Sequence, residues 1–509
     1  MSQKLHLFKL IKSLSPSEKG YFKKYYANYS TNQIYVQLFD AIDEQTKYDE
    51  NSLKKQFEAY KLTKQFSVAK NYLIKNILKS LRAYHSDASR DITLNELLTN
   101  IELLYKKRLI GLCRKTLKRA KKLVLAGELF HKYSEIALWE IRLENLIAHS
   151  VQQKEKLNNI YQFALEGIER NENLMNYRQV AFQFNALSKE GAPRTPEAQT
   201  NFKQFIEHPL LQSELIPKSE TAKGFFYNLQ TKISEITYDF EGAFENSKKF
   251  IEIIENNPNI YSSNPSHNLI PAYYNLLGSC IYLKNNQDFA KNLEKFKNIP
   301  KTYKSNDIVT QIITLLSSYL ELANDVNTVQ FERAIKQVPL LKQILKDSTH
   351  IGFLSVMASM QYHIAYAYFG TTRFDDALDW INTIIQKEGF EVREDLTAYA
   401  WLLNLIIHYE LDNLKHLEYK LKATHKFISK LKKDHDLEKT VLKFISELLA
   451  TNSEKSKKEV LKKYHHIFLE LEKQPYERMA LISFDIISWI ESKLNNKSFA
   501  ETIKLRRQL

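Results

Sequence analysis

The stretch Gln361–Ile385 reads QYHIAYAYFGTTRFDDALDWINTII, and its spacing decides the fold. Ala365 is small where the first of two paired helices must pack closely, and Tyr368 follows one turn later. Phe374 precedes Ala377 by three residues, and Ile381 and Ile384 continue the apolar face of a second helix. Asp375 and Asp376 fall in that helix's first turn, where the macrodipole favours negative charge.

The unit repeats outward from there. Ala243, Ala290, Ala334 and Ala377 recur at gaps of 47, 44 and 43 residues. Three of them carry an aromatic residue three positions earlier: Phe240, Phe331 and Phe374. Helix pairs stacked on their neighbours produce such a period, because a small residue is needed where two helices approach most closely. Stacking also implies contacts mostly between sequence neighbours.

The pattern resembles the tetratricopeptide repeat (TPR), in which an aromatic, a Leu-Gly and a Tyr precede an Ala, an aromatic and an Ala. Tyr274-Asn275-Leu276-Leu277-Gly278 with Ala290 matches that frame, and Tyr238–Ala243 matches its second half. Trp401 with His408 and Leu417 is a looser copy, as is Ile101 with Cys113, Leu117 and Ala120. TPR units are about 34 residues long, whereas these recur at about 40–47, and the closing proline is mostly missing. The chain is also similar to uncharacterised bacterial helical-repeat proteins. The resemblance implies an all-α fold, an α-solenoid of TPR-like helix pairs preceded by an N-terminal basic helical domain. It further implies a concave face that binds peptides or proteins.

Local signals place the boundaries. Ser15-Pro16-Ser17-Glu18 is a capping box with proline at the first helical position, so one helix ends near Leu14 and another begins. Helices follow near 33–46 and over Phe66–Leu81, and Ser86–Ser89 reads as a break. From Asp91 helices of about 15–20 residues succeed one another, with Gly111 at a turn and Gly127 between two of them. Gly191–Pro196 is the densest breaker cluster, and Asn257–Pro265 a second loop. The expected division is an N-terminal basic helical domain over 1–88, a first helical-repeat segment over 89–190 and a TPR-like array over 197–509.

Composition excludes several classes. Eleven glycines and eleven prolines in 509 residues suit long helices and argue against an all-β protein. The closest glycines, Gly111 and Gly127, are 16 apart, so no glycine-rich nucleotide loop or GxSxG elbow exists. The 14 histidines form no HExxH motif. His465-His466 point apart on a helix, and His408, His416, His425 and His435 read as surface or capping residues. Cys113 falls on the stripe Cys113, Leu117, Ala120 and Val124, as a small core residue does. The expectation is a non-enzyme with no cofactor and no metal. No run approaches the roughly 18–20 apolar residues of a membrane span, and the lysine-interrupted start has no signal-peptide character. The expected location is cytoplasmic.

Charge is uneven. Residues 1–130 hold 25 Lys+Arg against 12 Asp+Glu, while the rest of the chain is nearly balanced. Two basic columns are expected on the helix after Gly111: Arg114, Lys118 and Lys121, and Lys115, Arg119 and Lys122. Lys75, Lys79 and Arg82 form another column. Such a surface suits a phosphate backbone or an acidic partner, or only keeps the chain soluble. The function expected first is a scaffold or adaptor binding a protein or peptide in its groove, with Tyr274, Tyr362, Tyr366 and Trp401 as anchors. The alternative is a nucleic-acid-associated regulatory protein that uses the basic N-terminal quarter.

Overall fold

The computed structural model of the chain describes residues 5–27, 33–58, 66–85, 90–146, 151–188, 193–261, 265–303, 305–347, 352–386, 394–431 and 435–507. Among the described residues there are 27 α-helices and no strand. The fold is all-α. The chain divides into two compact units, Met1–Ile168 and Glu169–Leu509.

The first unit opens with α1 (His6–Ser13), α2 (Pro16–Ala27), α3 (Gln33–Glu44), α4 (Glu50–Gln56) and α5 (Phe66–Tyr84). Ile11, Phe22, Leu38, Phe39, Leu73 and Ile77 fill a core of their own. The capping box forms: the Ser15 amide donates to Glu18 Oε2 at 2.7 Å, and the Glu18 amide donates to Ser15 Oγ at 3.3 Å. Then come α6 (Arg90–Lys106), α7 (Ile110–Ala126) and α8 (Tyr133–Glu144). On α7 the stripe Cys113, Leu117, Ala120 and Val124 is buried. Gly111 lies in the first turn of α7 rather than in the turn before it, where Arg108 takes the left-handed conformation at φ 60°. The expected break at Ser86–Ser89 lies outside the described residues.

α9 (Val151–Ser188) runs for 38 residues, about twice the expected helix length, and carries the chain across the boundary between the units. That boundary falls inside a helix. Gly167 sits within α9 because the Tyr133 ring occupies the space a Cβ would need.

The second unit contains α10 (Pro196–Ile206), α11 (Glu220–Ile236), α12 (Phe240–Asn256), α13 (Pro258–Tyr261), α14 (Pro265–Tyr282) and α15 (Asn286–Thr302). It continues with α16 (Asp307–Asn327), α17 (Phe331–Lys336), α18 (Val338–Asp347), α19 (Leu354–Gly370), α20 (Phe374–Ile385), α21 (Glu394–Glu410) and α22 (Leu414–Lys430). It ends with α23 (Asp436–Leu449), α24 (Glu454–Glu472), α25 (Pro475–Ser483), α26 (Ile486–Asn495) and α27 (Phe499–Arg507). From α11 to α22 successive helices pack pairwise. Each first helix, α11, α14, α16, α19 and α21, also touches the next first helix.

One turn geometry recurs between paired helices. Arg108, Tyr238, Lys284, Val329, Thr372 and Asp412 all have φ between 54° and 63°. In each case the next amide donates to the carbonyl five residues back, as in Asp239 to Ser234 at 2.9 Å and Arg373 to Tyr368 at 2.9 Å. Such a turn satisfies a helix-end carbonyl at the cost of a left-handed residue, a position glycine usually takes. In the second unit the left-handed residues are spaced 46, 45, 43 and 40 apart. They fix the register of the second helices. Five residues after each stands a buried side chain: Cys113, Ala243, Phe289, Ala334, Ala377 or Leu417. This corrects the alanine series at one member, because Ala290 is exposed and Phe289 holds the buried position.

The aromatic residues that open the second helices have a shared task. The Phe240 ring stacks on Tyr282, at the end of the next first helix, with centroids 4.3 Å apart. The Phe331 ring occupies the space a Cβ on Gly370 would need. Ala377 is fully buried. Ala377→Leu is therefore expected to destabilise the protein by about 1–3 kcal/mol, as overpacking does. An unchanged melting curve would mean the register is misread.

Contacts are not confined to sequence neighbours. The Tyr362 hydroxyl on α19 donates to the Ser483 carbonyl at 3.0 Å. Phe369 meets Phe499 edge-on with centroids 5.2 Å apart. Lys284 Nζ donates to the Arg507 carbonyl at 2.8 Å. Arg194, between α9 and α10, is clamped by Glu438 of α23 and Glu477 of α25. The last helices of the second unit thus pack back on its middle, because α25–α27 present Phe484 and Phe499 to the apolar face of α19.

Candidate functional site

The first helices of successive pairs line one cavity of about 420 Å³ in the second unit. Its wall takes Glu235 from α11, Tyr274 and Tyr282 from α14, Tyr319 and Asn327 from α16, Tyr362 and Tyr366 from α19, and Tyr399 from α21. Phe240 of α12 joins at one side, and Ser483 of α25 and Arg507 of α27 complete it. A pocket of a few hundred Å³ with aromatic walls and a few convergent polar groups has the anatomy of a ligand site.

The polar groups differ in how well they are satisfied. Tyr362 is spent on Ser483. His363 places Nδ1 2.7 Å from the Ser359 carbonyl. Tyr366 is buried. Burial pushes the Tyr362, Tyr366 and Tyr399 hydroxyls well above the usual phenol range, so all three stay protonated donors. Burial also pushes the Glu235 carboxyl up to about 7, with Lys232 pulling the other way. Arg507 lies 3.4 Å from Asp485 Oδ2 and donates to the Asn327 carbonyl at 3.5 Å.

Of the four expected anchors, the structure brings together Tyr274, Tyr362 and Tyr366. Trp401 stands elsewhere, stacked on Phe427 of α22 with centroids 5.6 Å apart. Glu235, Tyr399 and Arg507 were not anticipated. Tyr399 follows from the turn register, being a first-helix tyrosine. Arg507 carried no local signal, because it arrives through the fold-back of α27.

The basic columns also separate. Lys75, Lys79 and Arg82 are exposed on α5, and Lys115, Lys118, Arg119 and Lys122 on α7. Arg114 instead binds Glu144 Oε1 at 2.8 Å and the Leu143 carbonyl at 2.9 Å. Lys121 binds Glu140 at 2.8 Å and lies 4.2 Å above the Phe163 ring. The column Arg114, Lys118 and Lys121 is therefore not a free face. Glu140 and Glu144 of α8 neutralise two of its members, which a count over residues 106–122 alone does not reveal. His408, read as a surface or capping residue, is buried on α21 beside His416.

Comparison with models of known protein families and with curated proteins returns no match. Among the described residues no helix is long and apolar enough to cross a membrane, and no three of His, Cys, Asp and Glu converge as metal ligands.

Proposed function

We propose that this chain is a cytoplasmic, non-enzymatic adaptor, a TPR-like α-solenoid that receives a segment of a protein or peptide partner. The convergence of first-helix tyrosines on one cavity carries the reading. Tyr274 of α14, Tyr319 of α16, and Tyr362 and Tyr366 of α19 come from three successive first helices and share a wall. Tyrosine offers large, rigid contact area with a polar tip, which suits an interaction anchor.

Gly278 supplies the test. It lines the cavity, and a Cβ built on it meets nothing within 4 Å. Gly278→Leu is expected to fill part of the cavity without a clash. It should also leave stability equal or raise it by up to about 1 kcal/mol, because glycine is a poor interior helix residue. Partner binding, measured by calorimetry with peptides selected on the unaltered protein, should fall at least tenfold. Unchanged binding would remove the cavity from the function.

A second reading, nucleic-acid association, is favoured by the exposed set Lys115, Lys118, Arg119 and Lys122, for which the described residues provide no ion pair. Reversing these four to glutamate should abolish any salt-sensitive binding to DNA or RNA without unfolding the chain. If the unaltered protein binds neither at near-physiological salt, the surface serves solubility.

A further inference from the structure

Resting on the peptide reading above, we propose that the cavity accepts a cationic side chain, lysine or arginine, of the partner segment, with Glu235 as its counter-ion. The charges at the wall lead to this assignment. Arg507 is already answered by Asp485. Lys232, on the same helix as Glu235, does not line the cavity. Its ammonium lies over the Phe184 ring of α9 at 5.6 Å and reaches Asn185 Oδ1 at 3.5 Å. Glu235 alone presents a carboxyl to the cavity without a hydrogen-bond or ion-pair partner among the described residues.

The neighbouring surface suits the same guest. Phe240, Tyr274, Tyr282 and Tyr319 stand on α12, α14 and α16 and line the same cavity as Glu235. Their π faces attract a cation and tolerate the methylene stem of a lysine or arginine. The wall around Glu235 removes part of the water its carboxylate would need, so its charge is disfavoured until a positive guest supplies a partner. An acidic guest would meet an uncompensated carboxyl, and a purely apolar one would leave it desolvated.

The experiment is selection of a displayed random heptapeptide library on the full-length protein, followed by calorimetric titration of synthetic copies of the enriched peptides. The expected result is enrichment of lysine or arginine. Replacing that residue by methionine should weaken binding by about tenfold or more, and Glu235→Gln should weaken it by a similar factor. The two losses should not add, because each removes the same pair. Circular dichroism and melting of Glu235→Gln should show an intact fold. Peptides that Gly278→Leu blocks, but that lack a basic residue and ignore Glu235→Gln, overturn the cationic assignment and leave the peptide reading standing. Peptides indifferent to Gly278→Leu, or no enrichment at all, overturn both.

Discussion

Arg194→Ala is expected to destabilise the second unit by about 3–5 kcal/mol, the loss typical of breaking a buried ion pair from one side. Arg194 donates from Nη1 and Nη2 to the two oxygens of Glu438, each at 2.7 Å. It also donates from Nη2 to Glu477 Oε2 at 2.7 Å and from Nε to Glu477 Oε1 at 3.1 Å. The Leu437 amide donates to Glu477 as well, at 3.3 Å. All three side chains are at most 6% exposed. Burial works against the guanidinium charge, and the hydrogen bonds to Glu438 and Glu477 outweigh it. Alanine would leave two carboxylates facing each other out of water, with nothing to neutralise them. The measurement is the denaturant midpoint of the full chain. A triple replacement of Arg194, Glu438 and Glu477 by methionine and leucine should recover most of the loss, because a well-packed apolar substitute does not carry the desolvation cost. A loss within about 1 kcal/mol for Arg194→Ala would mean that water screens the triad, as it does surface pairs.

This triad also shows what the chain's local signals reveal and what they hide. Gly191–Pro196 reads as the densest cluster of breakers, and within it residues 193–195 lie outside any helix. The same cluster carries Arg194, whose partners lie 244 and 283 residues away. A composition-based boundary cannot see such a tie, because long-range pairing leaves no periodicity. The spacing of the buried alanines was legible for the opposite reason. Ala243, Ala334 and Ala377 mark close approaches between adjacent helices, and local spacing encodes adjacency. Ala290 misled because the turn residues that set the register are Arg, Tyr, Lys, Val, Thr and Asp. A left-handed glycine in those turns would have announced itself. At the cavity, Tyr362 and Tyr366 were readable as an i, i+4 pair on one helix face. Arg507 was not, since only the packing of α27 against the middle of the unit brings it there.

The second large effect concerns pH, and a buried histidine and a half-buried glutamate push it in opposite directions. His408 is 4% exposed on α21, and neither ring nitrogen finds a hydrogen-bond partner among the described residues. Burial, with Lys420 and His416 adding repulsion, lowers its pKa from 6.5 to about 4. Above pH 6.5 the ring is neutral in both folded and unfolded chains. Between about 6.5 and 4 the unfolded chain takes up a proton that the folded one refuses, so stability falls as pH falls. The limit is about 3 kcal/mol over the window. Glu235 runs the other way. Its folded carboxyl titrates near 7 and its unfolded one near 4.5. The unfolded chain therefore ionises first, and stability falls as pH rises between those values. The slopes oppose each other between about 4.5 and 6.5. The unaltered protein should accordingly show a flatter stability profile there than either single variant. His408→Leu should leave the Glu235 slope exposed, giving a protein more stable at pH 5 than at pH 7. Glu235→Gln should leave the His408 slope exposed, giving a protein more stable at pH 7 than at pH 5. Urea titrations of the three proteins at those two pH values decide the matter, and parallel profiles for all three would show that neither group is desolvated in the folded chain.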